Sequence, residues 1–532
     1  MKWQGPAWKR PLLLDDQWGR LAMPVESIRR TWNYAQLAKD AVKVRWSHDE
    51  KAQLAAQKLV ADRLGRMRGL PQKMGQMMAF SADPSEQDAF GSLYESADPL
   101  PWSAIRPILQ TAWDIDPDTL FQEIDPHGKA ASLGQVHAAT RHDGRKLAIK
   151  IQYPGIHNAV MTDLAAIGWL AKPFGNLSDG FNLEGYRHTI LEGLKTELDY
   201  RQEATAQADF ADGPGRSPWV IVPRVEQELS CENILVSEWI DGETWQEVQS
   251  QWSPEEKTVL GRRLLFWFLE SLFEHGQLHA DLHPGNVRFL RTSDGPKIVL
   301  YDFGSVYHMN VTERITLLRY IQATRQQSEA PLPFLVALGF RHELLEPIAD
   351  RLPALSRVLL EPFCVDHPYD TSDWRLSERL NDLLGDERMN FRIAGPPGLL
   401  YLLRSFHAMI TYLAGLDAKV LWCRALQSHV ATHQHAMGQL NLPSLPTQDY
   451  KALAKHLKVQ VLRDGQLKAS VTLAAAAIDR LEKFLDDETL RRIKQERIDL
   501  VEIVRDVRRR GYVPGDVFEL TDPHREVKVW LE

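Results

Sequence analysis

Hydrophobic residues recur along this chain with two different periods, and each period predicts a different structure. In the segment Lys146–Gln152, Leu147, Ile149 and Ile151 alternate with small or polar residues. A period of two residues is typical of a β-strand that buries one face. The opposite face carries Lys150, so the pattern predicts a strand with a lysine in the middle of its polar side.

The residues before this strand predict its antiparallel partner. The run Ala130–Ala139 is followed by a turn at His142–Gly144, which leads into the strand that carries the lysine. Two antiparallel strands with an inward lysine suit the roof of a nucleotide-binding cleft, where the ammonium of Lys150 binds phosphate groups. A lysine on a half-exposed strand surface fits the same pattern, so the decision rests on other motifs.

Elsewhere the apolar residues recur every three or four positions, as they do in amphipathic helices. Helices are predicted at 183–210, at 254–275, through most of 310–440, and at 450–462, 466–485 and 487–510. Further strands are predicted at 220–225 and 233–239, in a hairpin of 286–290 with 297–300, and at 525–531.

Two more helices are predicted ahead of the strand-rich block. Ser47 and Glu50 form a capping box that begins the first helix, and the second follows Pro71. In the second helix Lys73 and Gln76 lie three residues apart and therefore share one face. Considered alone, this face is typical of an ordinary solvated helix.

Composition narrows the possible functions. The chain has 532 residues, a formal net charge of -8 and a pI near 6.2, which argues against nucleic acid as a partner and offers no bulk attraction to anionic lipid. Apolar residues make up 44% of the chain, so a folded protein of several structural units is expected. Cys231, Cys364 and Cys423 lie far apart, which favours the reducing cytoplasm and disfavours a zinc site.

No membrane or export segment is expected from the apolar pattern. The first residues lack the apolar core of a signal peptide. The most apolar run, Leu399–Leu416, is interrupted by Arg404 and His407, which favours a buried helix over a membrane span. A cytoplasmic protein is therefore expected, with peripheral membrane contact left open.

Two motifs carry the candidate chemistry. His279 and Asp281 are followed by Asn286 at the spacing His-x-Asp-x-x-x-x-Asn, and an Asp-Phe-Gly motif begins at Asp302 after a short hairpin. This layout is typical of a phosphoryl-transfer site. Asp281 would orient or deprotonate the acceptor, and Asn286 and Asp302 would hold Mg²⁺ against the phosphates of ATP. An isolated Asp-Phe-Gly is weak, but the two motifs at this separation are specific.

A predicted helix can supply the carboxylate that a buried lysine needs. It carries Glu197, Asp199 and Glu203, and the last two lie four residues apart, so they are expected to share a face. Farther along, Glu238–Ile240 precedes an Asp-Gly pair and is predicted to form a hinge whose backbone groups meet an adenine edge.

Together these features resemble the UbiB (AarF) family of atypical kinases, which is linked to ubiquinone and isoprenoid-lipid metabolism. The resemblance covers roughly residues 50–430. Lys73–Gln76 is similar to the family's KxGQ motif, Ala130–His137 to its alanine-rich loop, Glu197–Asp199 to its ExD motif, and His279–Asn286 to its signature loop, with Leu282 in place of the usual proline. The resemblance also implies that Glu203 is the carboxylate that pairs with the strand lysine, Lys150.

The resemblance implies an α+β fold of the bilobal protein-kinase type, with an antiparallel-sheet N-lobe and a helical C-lobe. The KxGQ helices would fold over the site, and the C-terminal region would be a helical extension. The regions are 1–48 as an N-terminal extension, 49–125 as the KxGQ extension, 126–239 as the N-lobe, 240–442 as the C-lobe and 443–532 as an accessory region.

With these motifs the candidate site is complete. The expected catalytic residues are Asp281, Lys150, Glu203, Lys73 and Gln76. The residues expected to bind the nucleotide are Ala130, Ala131, Ser132, Gly134, Gln135, Lys150, Glu197, Asp199, Glu238 and Ile240, and those expected to bind Mg²⁺ are Asn286 and Asp302.

The expected function is that of a kinase or ATPase that uses Mg-ATP and supports isoprenoid-lipid metabolism, with water, a lipid or a small molecule as the acceptor. A phosphotransferase of the aminoglycoside or choline kinase type shares the His-x-Asp loop but lacks the KxGQ, alanine-rich and ExD motifs. An ordinary protein kinase is disfavoured because no Ala-Pro-Glu follows the Asp-Phe-Gly.

A third alternative is a non-catalytic module that uses nucleotide to switch its binding of lipid or protein. Membrane contact would then come from the N-terminal tryptophans or from the arginines at 505, 508, 509 and 510. Arginines at the end of a helix also offset its macrodipole, which is the simpler interpretation. The membrane helix found at the C-terminus of some family members has no counterpart in residues 443–532, which are polar.

Overall fold

The structure is a computed structural model that describes residues 99–131, 133–158, 160, 197–445, 453–522 and 524–532. It divides into two compact units. Among the described residues, the first unit comprises those as far as His308 together with Leu400–Asp417. The second unit comprises those of Met309–Leu399 and Ala418–Glu532. Helices and mainly antiparallel sheets occur together, which confirms the predicted α+β class.

In the part that ends at His308, short strands and helices alternate. The elements are α1 (Trp102–Trp113), α2 (Pro117–Leu120), β1 (Phe121–Ile124), β2 (Lys129–Ala130), β3 (Gly134–Arg141), β4 (Lys146–Gln152), α3 (Tyr200–Asp212), β5 (Val220–Ile221), β6 (Ile234–Glu238), α4 (Trp245–Gln251), α5 (Pro254–Glu270), β7 (Gln277–His279), β8 (Val287–Leu290), β9 (Lys297–Leu300) and β10 (Val306–His308).

Helices then dominate as far as residue 440. They are α6 (Val311–Gln326), α7 (Pro331–Ala337), α8 (His342–Leu345), α9 (Leu352–Leu359), α10 (Glu361–Cys364), α11 (Leu376–Leu384), α12 (Arg388–Ala394), α13 (Leu399–Gly415) and α14 (Trp422–Gln439). The prediction that 310–440 is mostly helical is therefore confirmed.

The lysine-bearing strand lies within a five-stranded sheet. The order is β1–β3–β4–β6, and β2 pairs with β3. On one face Leu147, Ile149 and Ile151 are fully buried and pack with Ile105 and Leu109 of α1. Burial of each large aliphatic side chain contributes about 1.5–3 kcal/mol, so this face fixes the register of β4 and turns Lys150 to the other side.

The start of β3 requires a glycine because the two strands approach closely there. A Cβ atom at Gly134 would lie 2.1 Å from the carbonyl oxygen of Ile151. The antiparallel pairing of β3 with β4, which was predicted from the sequence, is thus confirmed and depends on this contact. Gly134, which was expected to contact a nucleotide, is therefore required for the close pairing of β3 with β4.

A long apolar helix delivers the chain to the candidate site. Ser253 caps α5 in a capping box with Glu256, and the helix passes through a π-helical turn to Gly276, which has a φ of 66°. β7 follows and pairs with β10. The predicted hairpin is confirmed as β8 and β9, and β5 lies parallel to β9.

The C-terminal region contains a sheet that the sequence analysis missed. Its elements are β11 (His456–Arg463), β12 (Gln466–Ala474), a 3₁₀ segment (Ala475–Phe484), α15 (Asp487–Gln495), α16 (Leu500–Arg509), β13 (Gly515–Thr521) and β14 (Arg525–Leu531). The four strands are all antiparallel in the order β12–β11–β14–β13. The prediction of helices over 456–474 is wrong, because two strands form there. The helical prediction for 487–510 agrees largely with α15 and α16, and the final strand is confirmed.

A turn signal explains this error. The predicted helices at 450–462 and 466–485 flank Asp464 and Gly465, whose φ angles are 50° and 74°. An Asp-Gly pair with two positive φ angles is typical of a two-residue hairpin turn. Apolar residues on both sides of it were counted with a helical period when alternation was the better description.

One hydrophobic cluster joins this sheet to the preceding helices within the second unit. Leu355 and Phe334 from the helices belong to the same buried cluster as Leu457 and Val529 from the sheet. Residues 453–532 therefore complete the core of the second unit rather than form a separate one.

Buried ion pairs reinforce that core. Arg379, whose side chain is 3% exposed, binds Glu361 and also Asp479 at 2.9 Å. Arg508, equally buried, binds Asp479 at 2.7 Å and Asp382 at 3.1 Å. One of the four arginines considered for membrane contact is therefore internal.

The other three arginines, which lie in α16 or directly after it, bind acidic residues of that helix. The pairs are Arg505 with Glu502, Arg509 with Glu502, and Arg510 with Asp506. These contacts favour the structural interpretation of the cluster. Within the described ranges, no helix combines the length and the apolar character that crossing a bilayer requires.

The buried network gives a first prediction. Arg379→Leu would leave Glu361 and Asp479 buried without this cation, so we expect a loss of about 3–5 kcal/mol in the free energy of unfolding, measured by urea denaturation. Arg463→Gln is the control, because Arg463 is 56% exposed and its pair with Glu488 spans 3.5 Å, and such pairs contribute about 0–1 kcal/mol. Equal stability of the two variants would contradict the prediction.

Candidate active site

The polar face of β4 meets two carboxylates. The ammonium of Lys150 donates to both carboxylate oxygens of Glu203, at 2.7 and 2.9 Å, and to Oδ2 of Asp302 at 3.0 Å. Glu203 comes from α3 and Asp302 from the segment after β9. The structure therefore brings together three residues that the sequence separates by as many as 152 positions.

Burial and charge act in opposite directions on this cluster. Burial alone would lower the pKa of Lys150, but the negative charges of Asp302 and Glu203 outweigh it and hold that pKa well above its usual value. Burial raises the pKa of Glu203, and Lys150 opposes that rise only in part. The lysine is therefore a permanent cation, and its charge is what makes a buried carboxylate tolerable here.

The helix that carries Glu203 begins later than predicted. α3 starts at Tyr200 because Asp199 is its N-cap, with extended backbone angles and a side chain that accepts from the backbone N–H of Arg201. Asp199 therefore lies at the start of α3 and not inside a longer helix, although its carbonyl still accepts from the backbone N–H of Glu203 at 3.4 Å. Residues 161–196, where the predicted helix began, lie outside the described part of the chain.

The two acidic residues of the ExD-like motif have different surroundings. Glu197 is 8% exposed and accepts from the hydroxyl of Ser305 at 3.3 Å, directly after the Asp-Phe-Gly motif. Asp199 binds the guanidinium of Arg201 at 2.9 Å. Partial burial opposes it, but these hydrogen bonds lower the pKa of Asp199. Glu197 thus lies beside the Asp-Phe-Gly segment, where its charge acts on Glu203. Asp199 instead caps the start of α3.

The loop after β7 holds its shape through hydrogen bonds of its own residues. Nδ1 of His279 accepts from the backbone N–H of Asp281 at 3.3 Å, so its Nε2 donates to the carbonyl of Tyr301 at 3.1 Å. The amide of Asn286 donates to the carbonyl of Asp281 at 3.2 Å. Asn286 also accepts from the backbone N–H of Tyr301 at 2.8 Å. These contacts place Asp281, Asn286 and Asp302 in one site.

The Asp-Phe-Gly segment is fixed by packing as well as by polar contacts. Asp302 has a φ of 57°, and its Oδ1 accepts from the backbone N–H of Gly304 at 3.2 Å. Phe303 is fully buried, with its ring centroid 5.2 Å from that of His279 and 5.3 Å from that of Phe210 in α3. This aromatic cluster joins α3, the end of β7 and the Asp-Phe-Gly segment. The loop that follows β7, residues 280–286, is called the catalytic loop below, after its predicted role.

The alanine-rich loop lies at the ends of β2 and β3. The backbone N–H of Ala131 donates to the carbonyl of Gly134 at 2.8 Å, and Ala130 pairs with Gln135. The side chain of Gln135 is fully buried and binds both the N–H and the carbonyl of Leu100, at 2.7 and 3.2 Å. Any contact of Gln135 with a nucleotide would therefore involve its backbone.

The predicted hinge follows β6, and the protein itself uses part of its backbone. The carbonyl of Ile240 accepts from the hydroxyl of Tyr301 at 2.5 Å. The backbone N–H of Glu238 donates to the carbonyl of Arg224 at 2.8 Å. The contact of these groups with adenine remains a prediction. Lys73, Gln76 and Ser132 lie outside the described residues.

One helix contacts the catalytic loop in a way that sequence reasoning missed. The guanidinium of Arg404, in the middle of α13, binds Oδ1 of Asp281. Ser405 donates to the carbonyl of His279 at 3.1 Å, and Tyr412 donates to the carbonyl of Leu282 at 3.0 Å. The available signal was the charge that interrupts the apolar run, which the sequence analysis used only to argue against a membrane span.

The residues present fit a divalent cation together with phosphates. Among the described residues, no group of three or more His, Cys, Asp or Glu side chains could hold a metal by itself. Mg²⁺ does not need such a group, because phosphate oxygens and water complete its shell around one or two protein ligands. The oxygens of Asn286 and Asp302 are donors of the right chemical type.

The formal charge of the site supports the same conclusion. In the described part of the site, the carboxylates are Glu197, Glu203, Asp281 and Asp302, and the cations that they contact are Lys150 and Arg404. Carboxylates therefore outnumber cations, which favours binding of a metal cation together with the phosphates over binding of a free anion.

Comparison with known proteins gives three results. Residues 92–331 match the family described as the ABC1 atypical kinase-like domain. The chain is 30% identical over 268 residues to the uncharacterised protein slr0889 of Synechocystis, a match that spans 47% of this chain and 65% of that protein. It is 27% identical over 384 residues to the mitochondrial atypical kinase COQ8B of Rattus norvegicus, spanning 70% of this chain and 69% of the relative.

Among solved structures, the complex of Rv3197 with erythromycin from Mycobacterium tuberculosis aligns with a TM-score of 0.49 and 28% sequence identity. The alignment covers 69% of this chain and 93% of that one.

The catalytic loop gives a pH-dependent prediction. Burial lowers the pKa of His283 from 6.5 to about 4, so between these values the unfolded chain binds a proton that the folded chain does not. The free energy of unfolding should therefore rise with pH across this window and reach its full value above it. The pKa of His279 is also lowered by burial and adds to the slope.

His283→Asn should make that slope shallower, as measured by urea denaturation at several pH values within the window. His127→Asn is the control, because the His127 side chain is 92% exposed and should leave the slope as it is. An unchanged slope in His283→Asn would show that this imidazole is accessible to protons in the folded protein.

Proposed function

We propose that this chain, whose residues 92–331 match the ABC1 atypical kinase-like domain, binds Mg-ATP and transfers the γ-phosphoryl group to an acceptor. The observation that carries the proposal is the contact of Lys150 with Glu203 and Asp302. An ammonium held between two carboxylates beside the catalytic loop is the arrangement that positions nucleotide phosphates in kinases.

Each part of the site has a role in this proposal. Lys150, positioned by Glu203, binds phosphate oxygens, and Asn286 and Asp302 hold Mg²⁺, which offsets the negative charge of the phosphates. Ala130, Ala131, Ser132 and Gly134 form the loop over the nucleotide. The family resemblance implies that Lys73 and Gln76 of the KxGQ motif, which lie outside the described residues, would enter the site near Glu197 and Asp199. The hinge at Glu238–Ile240 contacts the base.

Asp281 acts on the acceptor. A bond forms between an acceptor oxygen and the γ-phosphorus, and the bond from that phosphorus to the oxygen bridging to the β-phosphate breaks. The proton of the acceptor leaves to Asp281 or to water, and ADP departs with the bridging oxygen. The acceptor is water, a lipid or a small molecule, and the family resemblance supports a role in isoprenoid-lipid metabolism.

The proposal predicts that Asp302→Asn loses activity. Removing this carboxylate takes away a metal ligand and one of the two acidic partners of Lys150, so we expect Mg-ATP hydrolysis to fall by a factor on the order of 10²–10³. Phosphate release would be measured with and without liposomes. Asp209→Asn, at an exposed position of α3, is the matched control and should behave like the parent protein.

Two results would redirect the proposal. If Asp302→Asn hydrolysed ATP at the parent rate, the assignment of the metal site would be wrong. If the parent protein bound Mg-ATP but neither released phosphate nor labelled an acceptor, the nucleotide-switched binding module would replace the enzyme.

A further inference from the structure

The catalytic loop has a buried carboxylate but no cation of its own. Asp281 is 8% exposed. Between Asp281 and Asn286 the loop contains leucine, histidine, proline and glycine, and none of these residues is lysine or arginine. Since an ionised carboxylate is costly to bury without a partner, the compensating charge must come from another element.

Arg404 supplies that charge from the middle of α13. Its side chain is 7% exposed, that of Asp281 is 11% exposed, and one guanidinium nitrogen binds Oδ1 of the carboxylate. The two residues are 123 positions apart in sequence, yet both belong to the first compact unit. The contact is therefore a property of the tertiary fold and has no counterpart in the local motif.

The contact is one of three from the same helix. Ser405 and Tyr412 bind the carbonyls of His279 and Leu282, one on each side of Asp281. Their bonds fix the backbone of the loop, whereas Arg404 fixes the side chain. Together they hold both the position of Asp281 and the direction in which its carboxylate points.

Other charged or titratable groups near Asp281 do not replace this contact. His279 and His283 belong to the same loop and interact with the Asp281 charge, and burial lowers the pKa of each. Tyr412 also faces Asp281 from α13, but burial raises the pKa of its hydroxyl. All three are neutral near pH 7. Arg288 also interacts with the Tyr412 hydroxyl, but its guanidinium binds the backbone carbonyls of Pro284 and Val287, whereas the guanidinium of Arg404 binds the Asp281 carboxylate itself.

Stability alone is a poor explanation for this pair. Replacing a buried ion pair by apolar residues of similar volume is often neutral or stabilising, and α13 is otherwise strongly apolar. A charged pair in this place is better explained by a geometric demand on the carboxylate.

We propose that Arg404 is a positioning residue for phosphoryl transfer, which acts by holding the Asp281 carboxylate in the orientation that directs the acceptor. This role rests on the function proposed above. The planar guanidinium suits the task because it binds a carboxylate in a defined plane, whereas a lysine ammonium supplies the charge without that geometry.

Steady-state kinetics of the full-length chain test the proposal. With Mg-ATP we expect Arg404→Gln to lower kcat by a factor on the order of 10–100, the effect of misplacing a reacting group, while KM for Mg-ATP stays near the parent value. Arg404→Lys should recover part of the loss in kcat. Arg262→Gln, at an exposed position of α5, is the control for loss of an arginine.

A parent-like kcat in Arg404→Gln would overturn the proposal. So would a loss confined to KM, because that would place Arg404 in nucleotide binding. An Arg404→Lys variant as active as the parent protein would also overturn it, because charge without the planar guanidinium would then be sufficient.

A measurement without nucleotide separates this proposal from the proposed function. Thermal unfolding of Arg404→Gln, Asp281→Asn and the double variant forms a cycle. We expect the double variant to lose less stability than the single losses combined, because each single variant strands the other partner. Additive losses would overturn the pairing. Coupling without any turnover in the parent protein would contradict the kinase activity and leave the link between Arg404 and Asp281 intact.

Discussion

The site depends on one buried cation, the ammonium of Lys150. The apolar face of β4 forces this side chain to the other side of the sheet, where it contacts Glu203 and Asp302. The Glu203 side chain is 1% exposed and that of Asp302 is 31% exposed, and an ionised carboxylate as buried as Glu203 requires a cation close to it. The position of α3 against the sheet and the turn at Asp302 both follow from that requirement, and the aromatic contacts of Phe303 reinforce it.

A second carboxylate–cation pair offsets the cost of burying a carboxylate in the loop that follows β7. Asp281 has no cation in its own loop, and Arg404 reaches it from α13. The two pairs differ in consequence. In the proposed function, Lys150 binds phosphate oxygens in exchange for protein carboxylates. Arg404 belongs to α13, the helix that also holds the backbone of the loop. The first pair suits binding, and the second suits orientation.

Elements that depend on neighbouring residues could be predicted from the sequence, whereas contacts between distant residues could not. The pair β3–β4 and the hairpin β8–β9 were predictable because neighbouring residues and a short turn decide them. The C-terminal hairpin had the same kind of signal at Asp464 and Gly465, which the sequence analysis overlooked. Asp199 was placed inside a helix because spacing alone does not distinguish an N-cap from the first turn. The contact of the Gln135 side chain with Leu100 could not be predicted, because nothing local reveals it.

The sequence by itself determined which residues are available for the proposed chemistry, because the residue types and spacings of the motifs around Lys150, Asp281 and Asp302 are local properties that a single chain displays directly. The family resemblance that these motifs carry also implied the α+β class, which the structure confirms. The pairing of Glu203 with Lys150, which the family resemblance implied, is confirmed. Only the tertiary structure showed that Asp302 is a second partner of Lys150 and that Arg404 is the cation that accompanies Asp281. Those choices depend on burial, since a charge must find its partner where water is excluded, and burial is a property of the packed chain rather than of any segment in it.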